Sequence, residues 1–340
     1  MQKISDNTIN AIELLLKEKK NVLIVSHHNP DGDAIGSMLG LCYALKYKGI
    51  EANLIIPNEI PESLSWLPGA DQIIRFSKQK DVAKKVIANS QVIFALDFND
   101  PERLEKMSGL FTESSATKIL IDHHPSPKNC FNHVISDTNS SSTAELVYIF
   151  TTMLNHGIVT DVKGATCLFT GIMTDTGSFS YGCNNPRTFE VVGALVKQGV
   201  NIENVQQQVY NNFTEGRMRL VGYSLSNKLK VFPEYQTAFI SLTRDELNSF
   251  NYKIGDTEGL VNYPLSIKGI IFSALFVENT DYIKVSLRSK GKFPANKICE
   301  KYFSGGGHMN AAGGKSFASM EETEAKFVRI LKEYKKDLYK

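Results

Sequence analysis

Paired cysteines are missing from this sequence. Its 340 residues include five cysteines, an odd number, and they are scattered with no C-x-x-C pair among them. This pattern argues against a zinc knuckle and predicts reduced thiols. Reduced thiols are typical of the cytoplasm, so we expect a cytoplasmic protein.

Long apolar runs and an excess of charge are missing as well. No run is long enough to cross a bilayer, and the polar start, MQKISDNTIN, lacks the apolar segment of a secretory signal. We therefore expect no membrane partner. With 38 basic and 36 acidic residues the net charge is only +2, so long duplex nucleic acid is not an expected partner. A small anionic substrate held by a few local charges is compatible with this balance.

Short apolar runs alternate with helical segments in the first half of the chain. The runs are NVLIVS, EANLIIP, QVIFALDF and TKILIDHH. Strands that are apolar throughout predict a parallel sheet covered by helices on both faces. The fold class is therefore α/β, with this domain over residues 1–190.

The pattern of apolar residues along the chain changes after about residue 190. Residues 191–233 have helical periodicity and few strand signals, which predicts a helical connector. From there the segments TAFISL, IKGIIFSALFVEN and YIKVSLRS predict strands, and a glycine cluster and a C-terminal helix follow them. We expect a smaller α+β domain over residues 234–340.

Acidic residues and histidines follow the predicted strands of the first domain. Carboxyl ends of parallel strands gather on one edge of a sheet, so side chains distant in sequence would converge there. Taken singly, such residues are often helix caps or turn residues. Caps, however, do not require two histidines at one site or an aspartate at every strand end. The residues are His27, Asp31 and Asp33 after NVLIVS, Asp97 in QVIFALDF, Asp122, His123 and His124 in TKILIDHH, and Asp175 after a helical segment.

Four carboxylates in one pocket would repel each other unless cations lie among them. Two divalent cations would balance four negative charges. The oxygen and nitrogen ligands, with no thiolate, favour Mn²⁺ and to a lesser degree Mg²⁺, Fe²⁺ or Co²⁺. A pair of metal ions is suited to phosphoryl chemistry.

At this point the chain resembles the DHH phosphoesterases. The segments HHNPDGDAIGS, ALDFND, IDHH and TDTGSFS resemble the four motifs of that family, and GGGHMNAAGG resembles the signature of its DHHA1 C-terminal domain. In order and spacing the five motifs cover nearly the whole chain. In length and motif order the chain most resembles the bacterial group of nanoRNases and pAp phosphatases, which includes proteins labelled exopolyphosphatase-related.

The resemblance implies a role for each strand-end residue. His124 would face the phosphate and stabilise or protonate an oxygen there, Asp122 would orient a neighbouring ring, and His28 would be a bystander. Hydrolysis by water activated between two metals is implied, with no covalent intermediate. His123, His124 and Asp97 would be the catalytic residues. The implied metal ligands are His27 and Asp31 at one ion, Asp33, His123 and Asp175 at the other, and Asp97 between both.

The second domain offers candidates for substrate binding. Strand alternation in DYIKVSLRS places Arg288 opposite the apolar face, where it is either a phosphate ligand or a solvated edge residue. Gly305, Gly306 and Gly307 allow backbone N–H groups to approach an anion, and His308 adds a donor. The alternative is an ordinary glycine-rich turn, and the resemblance favours substrate binding in a cleft between the domains.

Two further motifs favour ordinary structural roles. In SSSTAEL, Ser142 and Glu145 fit a capping box, although the helix start could also favour a phosphate. The segment NNPRT is typical of a helix start, with Pro186 as a turn residue, and Arg187 is expected to be solvated.

The favoured function is a two-metal phosphoesterase acting on small nucleotides: very short single-stranded RNA, pAp, or a linear or cyclic dinucleotide. An exopolyphosphatase or pyrophosphatase is the enzymatic alternative. A nucleotide-binding sensor without turnover is the alternative of another class, and loss of a metal ligand would mark it, but all six are present. The sequence leaves a homodimer open.

Overall fold

The structure is a computed structural model that describes residues 4–18, 21–155 and 160–339. The chain divides into two compact units, residues 1–212 and residues 213–340. The domain limits expected from the sequence, at residues 190 and 233, stay predictions. No helix in the described part of the chain is long and apolar enough to span a membrane.

The first unit is built on a parallel sheet with the strand order β3-β2-β1-β4-β5-β6. The four strands expected from the apolar runs are confirmed as β1, β2, β4 and β5. The edge strands β3 and β6 are short and only partly buried, so they lack the continuous apolar signal of the central strands. The strands are β1 (Val22–Ser26), β2 (Ala52–Ile56), β3 (Ile74–Arg75), β4 (Val92–Leu96), β5 (Thr117–Asp122) and β6 (His133–Ser136).

Helices cover both faces of this sheet, as the sequence predicts. Alternate residues of β1 enter opposite cores, because Ile24 packs against the helices on one face of the sheet while Leu23 packs against those on the other. The helices are α1 (Asp6–Glu18), α2 (Gly32–Tyr47), α3 (Lys80–Asn89), α4 (Ser108–Glu113), α5 (Thr143–Leu154), α6 (Val162–Asp175), α7 (Pro186–Lys197) and α8 (Ile202–Tyr210).

Helices α2 and α6 approach each other closely because glycines line their contact. A Cβ atom on Gly36 would lie 2.5 Å from the carbonyl oxygen of Cys167 and 2.8 Å from the nitrogen of Gly171. The backbones themselves are therefore in contact. This contact joins the start of α2 to the helix that ends at Asp175.

The second unit contains a mixed sheet with the order β11-β12-β10-β9-β8-β7, in which β8 and β9 are parallel and the other pairs antiparallel. Its strands are β7 (Leu229–Phe232), β8 (Thr237–Leu242), β9 (Phe272–Glu278), β10 (Ile283–Ser289), β11 (Gly306–His308) and β12 (Ala311–Ser316). Its helices are α9 (Glu215–Tyr223), α10 (Arg244–Ser249), α11 (Ala295–Tyr302), α12 (Met320–Glu333) and α13 (Lys335–Leu338).

The glycine cluster of this unit forms the hairpin β11–β12, which strand propensity does not predict. Small residues are needed here for packing. A side chain on Gly305 would meet the carbonyl oxygen of Gly313, and one on Gly314 would meet the carbonyl oxygen of Phe303. The strands predicted in TAFISL, IKGIIFSALFVEN and YIKVSLRS are confirmed as β8, β9 and β10, with β9 beginning only at Phe272.

Candidate metal centre

The carboxyl ends of β1, β4 and β5 are neighbours in the sheet, and polar side chains follow each of them. His27 comes directly after β1, Asp97 after β4, and His123 after β5. Helix α2 begins beside them and carries Asp33 in its first turn, while Asp175 is the last residue of α6. The fold therefore brings together all the strand-end residues expected to converge.

One cluster, called the His27 group, consists of His27, Asp31 and Asp97. Each offers one ligand atom, and these atoms lie within 4.8 Å of one another. The Nε2 atom of His27 is 3.3 Å from Oδ2 of Asp97, while its Nδ1 is 2.9 Å from the carbonyl oxygen of His28. Asp31 caps α2, because its Oδ1 accepts hydrogen bonds from the amides of Asp33 and Ala34. The helix cap is thus Asp31 and not Asp33.

A second cluster, called the His123 group, consists of Asp33, His123 and Asp175, whose ligand atoms also lie within 4.8 Å of one another. The Nε2 atom of His123 is 3.8 Å from Oδ2 of Asp33 and 3.5 Å from Oδ2 of Asp175. It is also 3.7 Å from Oδ1 of Asp97. The two oxygens of Asp97 therefore face the two groups, one oxygen each.

His124 lies beside both groups and is held by Asp122. Its Nδ1 is 2.7 Å from Oδ1 of Asp122 and 3.7 Å from Oδ1 of Asp97. The carboxylate of Asp122 is fully buried and accepts a hydrogen bond from Nδ1–H of His124, so it selects the tautomer and orientation of that ring. The ring it orients is thus that of His124.

Burial and crowding dominate the electrostatics of the centre. Burial, followed by the negative charges of Asp97 and Asp175, raises the pKa of Asp33 well above its usual value. Burial would also raise the pKa of Asp97, but the hydrogen bond with His27 and the neighbouring imidazoles lower it. Burial would lower the pKa of His123, yet the charges of Asp33 and Asp97 raise it. The carboxylates of the centre therefore require positive charge beside them.

The first turn of α5 binds two of these carboxylates, a role that the sequence did not reveal. The amide of Thr143 donates to Oδ2 of Asp33 at 2.7 Å, and the amide of Ala144 donates to Oδ1 at 2.8 Å. The hydroxyl of Thr143 donates to Oδ1 of Asp97 at 2.9 Å. The carbonyl oxygen of Ser140 lies 3.4 Å from Nδ1 of His123. The carboxylate of Asp33 thus lies at the N-terminus of α5, where the helix dipole favours negative charge.

Arg103 is a second residue that sequence reasoning missed. It lies in the 3₁₀ segment Pro101–Met107, and its guanidinium donates to the carbonyl oxygen of Asp97 at 3.0 Å. The same nitrogen is 3.4 Å from Nε2 of His124. Asp97 has a left-handed backbone with φ of 64°, which is costly for a non-glycine residue. Arg103 helps to hold that conformation.

The expectation that Arg187 is solvated is wrong. Its side chain is only 15% exposed, and Nε lies 2.5 Å from Oε1 of the buried Glu145. Its terminal nitrogens bind Oδ2 of Asp137 at 3.2 Å. The expected capping box is half formed: Ser142 caps α5, but the carboxylate of Glu145 binds Ser141 instead of returning to Ser142.

The donor set suits a pair of divalent cations. The two groups offer imidazole nitrogens and carboxylate oxygens without a thiolate, a combination preferred by Mn²⁺ and similar ions. One oxygen of Asp122 is buried and has no hydrogen-bond partner in the described part of the chain. The centre thus carries more negative charge than its hydrogen bonds satisfy, so these residues fit the metal ions that the sequence implies.

In the second unit, Arg288 and His308 lie on one face of the sheet. Both are in register with Ala311 of the strand between them, and directly paired residues point to the same face. The alternation predicted for β10 is confirmed, because Ile283, Val285 and Leu287 are buried while Arg288 is half-buried. Gly306 and Gly307 belong to β11, next to Gly305. The face therefore combines a guanidinium with a glycine-rich strand.

Comparison with known proteins agrees with this architecture. Residues 21–172 match the N-terminal domain of the DHH family, and residues 235–337 match the DHHA1 domain. The chain is 30% identical over 302 residues to the bifunctional oligoribonuclease and PAP phosphatase NrnA of Thermus thermophilus, covering 88% of this chain and 86% of that protein. It is 27% identical over 301 residues to the protein of the same name from Bacillus subtilis, covering 87% and 90%. A crystal structure of an exopolyphosphatase-related protein from Bacteroides fragilis is 40% identical, covers all of both chains and has a TM-score of 0.95. The chain therefore belongs to the DHH family of phosphoesterases.

Proposed function

We propose that this protein hydrolyses phosphoester bonds in very short RNA and in pAp. The observation that carries the proposal is the pair of ligand groups that share Asp97, whose two oxygens face His27 and His123 at 3.3 and 3.7 Å. A shared carboxylate is typical of sites that bind two cations for phosphoryl chemistry. The relatives named oligoribonuclease and PAP phosphatase support this substrate class.

The His27 group would hold one cation and the His123 group the other, with Asp97 contacting both. The preference of this donor set makes Mn²⁺ the proposed ion, with Mg²⁺ or Co²⁺ as substitutes. When bound, the cations supply charge neutralisation and activation of water. The protein contributes the fixed orientation of its ligands. Thr143 and Ala144 donate hydrogen bonds to the carboxylate of Asp33, and the hydroxyl of Thr143 donates to that of Asp97.

His124 is proposed to act on the substrate phosphate. Its Nδ1 donates to Asp122, which leaves Nε2 as the ring atom able to face a phosphoryl or leaving oxygen. Arg103 lies 3.4 Å from that nitrogen and adds positive charge at the same place. When the ring carries a second proton, Nε2–H would stabilise charge on the phosphoryl oxygens or give that proton to the leaving oxygen.

In the second unit, Arg288, His308 and the backbone of Gly305, Gly306 and Gly307 are proposed to bind phosphate. A guanidinium can bind two phosphate oxygens at once, and glycines allow N–H groups to approach an anion. A cytoplasmic location is proposed from the cysteines, all five of which are free thiols. The homodimer stays a prediction.

The test is a comparison of rates after metal removal. The protein is stripped with a chelator, Mn²⁺ is restored, and hydrolysis is measured in parallel on pAp, an RNA dinucleotide, an RNA pentanucleotide, cyclic di-AMP, polyphosphate and pyrophosphate. We expect the short RNAs and pAp to be the best substrates and the stripped protein to be inactive. A preference for pyrophosphate would refute the proposal, and turnover of none of them would favour the sensor.

Polyphosphate is the second candidate, because the crystal structure with a TM-score of 0.95 is described as exopolyphosphatase-related. Faster release of phosphate from polyphosphate than from pAp would establish it.

Substitution of a ligand tests the metal assignment separately. His123→Ala should reduce hydrolysis at least about 100-fold, since loss of even an outer partner of a metal ligand costs up to that much. The matched control is His133→Ala, because His133 lies on the edge strand β6 away from both groups. It should retain wild-type rates. Wild-type turnover in His123→Ala would contradict the assignment.

A further inference from the structure

Two segments with ordinary structural expectations, SSSTAEL and NNPRT, meet in one buried network behind the candidate metal centre. Nε of Arg187 lies 2.5 Å from Oε1 of Glu145, and the hydroxyl of Thr188 donates to Oε2 of Glu145 at 2.9 Å. Asp137, at the end of β6, accepts from both terminal nitrogens of Arg187. The carboxylate of Glu145 is fully buried. The start of α7 is thereby tied to α5 and to the sheet.

The second oxygen of Glu145 also holds the segment that precedes α5. It accepts from the amide of Ser141 at 3.0 Å and from its hydroxyl at 2.6 Å. In a complete capping box the carboxylate would return to the amide of Ser142. Here the carboxylate of Glu145 binds Ser141, the residue before Ser142. Glu145 therefore fixes the position of residues 140–144 and not only the helix start.

Residues 140–144 are the segment that contacts the metal-centre side chains. Thr143 donates to Asp33 and Asp97, and the carbonyl oxygen of Ser140 lies beside His123. An unbroken series of direct contacts therefore connects Arg187, through Glu145 and this short segment, to three proposed metal ligands.

A buried ion pair is not needed for stability alone, because well-packed apolar residues at such positions are often as stabilising. Removal of one partner leaves a buried charge that must be solvated or neutralised, which shifts the segment that contacts it. Outer partners that orient metal ligands change metal affinity strongly when they are lost.

We propose that the Glu145–Arg187 pair is a positioning device that sets the affinity of the centre for divalent cations by fixing residues 140–144. Neither residue belongs to the two ligand groups. This inference rests on the proposed function, since it requires that the two groups bind cations.

The experiment compares Mn²⁺ binding by isothermal titration in the full-length wild type and in Arg187→Gln. We expect the dissociation constant for Mn²⁺ to rise about 10- to 100-fold. Hydrolysis of pAp at low Mn²⁺ should fall with it and recover in large part at saturating Mn²⁺. Arg187→Lys, which keeps the charge but not the forked geometry, should have intermediate affinity.

The matched control is Lys228→Gln, which breaks another partly buried ion pair, Lys228–Glu246, in the second unit. It should lower the melting temperature without changing the dissociation constant. If Arg187→Gln lowers only the melting temperature and binds Mn²⁺ like the wild type, the pair is merely structural and the inference is wrong.

A milder variant covers the case in which Arg187→Gln does not fold. Thr188→Val removes a single hydrogen bond to Glu145, and we expect a smaller loss of Mn²⁺ affinity, of a few-fold. Unchanged affinity in a folded Thr188→Val, together with an unfolded Arg187→Gln, would overturn the inference. Failure of the wild type itself to bind Mn²⁺ would instead refute the proposed function.

Discussion

The contact between α2 and α6 permits a sharp test through Gly36→Ala. An added Cβ would lie 2.5 Å from the carbonyl oxygen of Cys167 and 2.8 Å from the nitrogen of Gly171. Both are backbone atoms, so no rotamer change relieves the clash. Since ordinary carbon contacts are about 3.5–4 Å, the helices must separate by roughly 1 Å.

Two opposing effects determine the size of the loss. Alanine is favoured over glycine within a helix by about 1 kcal/mol, whereas overpacking a tight contact costs typically about 1–3 kcal/mol, occasionally more. The matched control is Gly193→Ala in α7, where an added Cβ meets nothing within 4 Å. That variant should gain up to about 1 kcal/mol. The helix gain is common to both variants, so they should differ by the overpacking cost, roughly 1–3 kcal/mol.

The assay is thermal unfolding of the full chain by calorimetry, with Mn²⁺ titration of each variant. We expect Gly36→Ala to melt several degrees below Gly193→Ala, since about 1 kcal/mol corresponds to roughly 2–4 °C in a unit of this size. It should also bind Mn²⁺ more weakly, because α2 carries Asp33 and α6 ends at Asp175. A Gly36→Ala protein as stable as Gly193→Ala would refute the packing argument.

Two further predictions concern single side chains. Arg103→Gln should slow hydrolysis of pAp by about 10- to 100-fold, since a charged hydrogen bond, here to the carbonyl oxygen of Asp97, contributes about 1.5–3 kcal/mol; wild-type rates would contradict it. For Glu246, burial would raise the pKa, but Lys228 and neighbouring donors lower it from 4.5 to about 2. Its contribution to stability is therefore present above pH 4.5 and lost as the pH falls towards 2. Urea unfolding should show Glu246→Gln less stable than the wild type at pH 7 and nearly equal at pH 2, while the exposed control Glu234→Gln shows little difference; a gap independent of pH would contradict the pKa assignment.

Much of the candidate site follows from the order of the chain. Once NVLIVS, VIFAL and KILI are recognised as parallel strands, the residues after them must lie at one edge of the sheet. The sequence alone therefore places His27, Asp97 and His123 together. The order of strands in the sheet confirms this prediction, because β1, β4 and β5 are adjacent.

The supporting residues could not be found in this way, because their partners are distant in sequence. Thr143 binds Asp33 across 110 positions, and Arg187 binds Glu145 across 42. Local patterns around Glu145 and Arg187 match ordinary helix starts, so only the three-dimensional contacts reveal the network.

The glycine hairpin was missed for a different reason. Strand propensity reports how well a side chain fits a half-buried pleated surface, and glycine has no side chain to fit. In β11 and β12 the deciding factor is the close approach of neighbouring backbone at Gly305 and Gly314. Such closeness depends on tertiary packing, which no local pattern encodes.

The most direct test of the central claim is the position of Mn²⁺ in crystals soaked with the ion, located by anomalous diffraction. We predict two peaks in the first unit, one contacting the His27 group and the other the His123 group, with Asp97 contacting both. A single peak, or two peaks that do not share Asp97, would contradict the account.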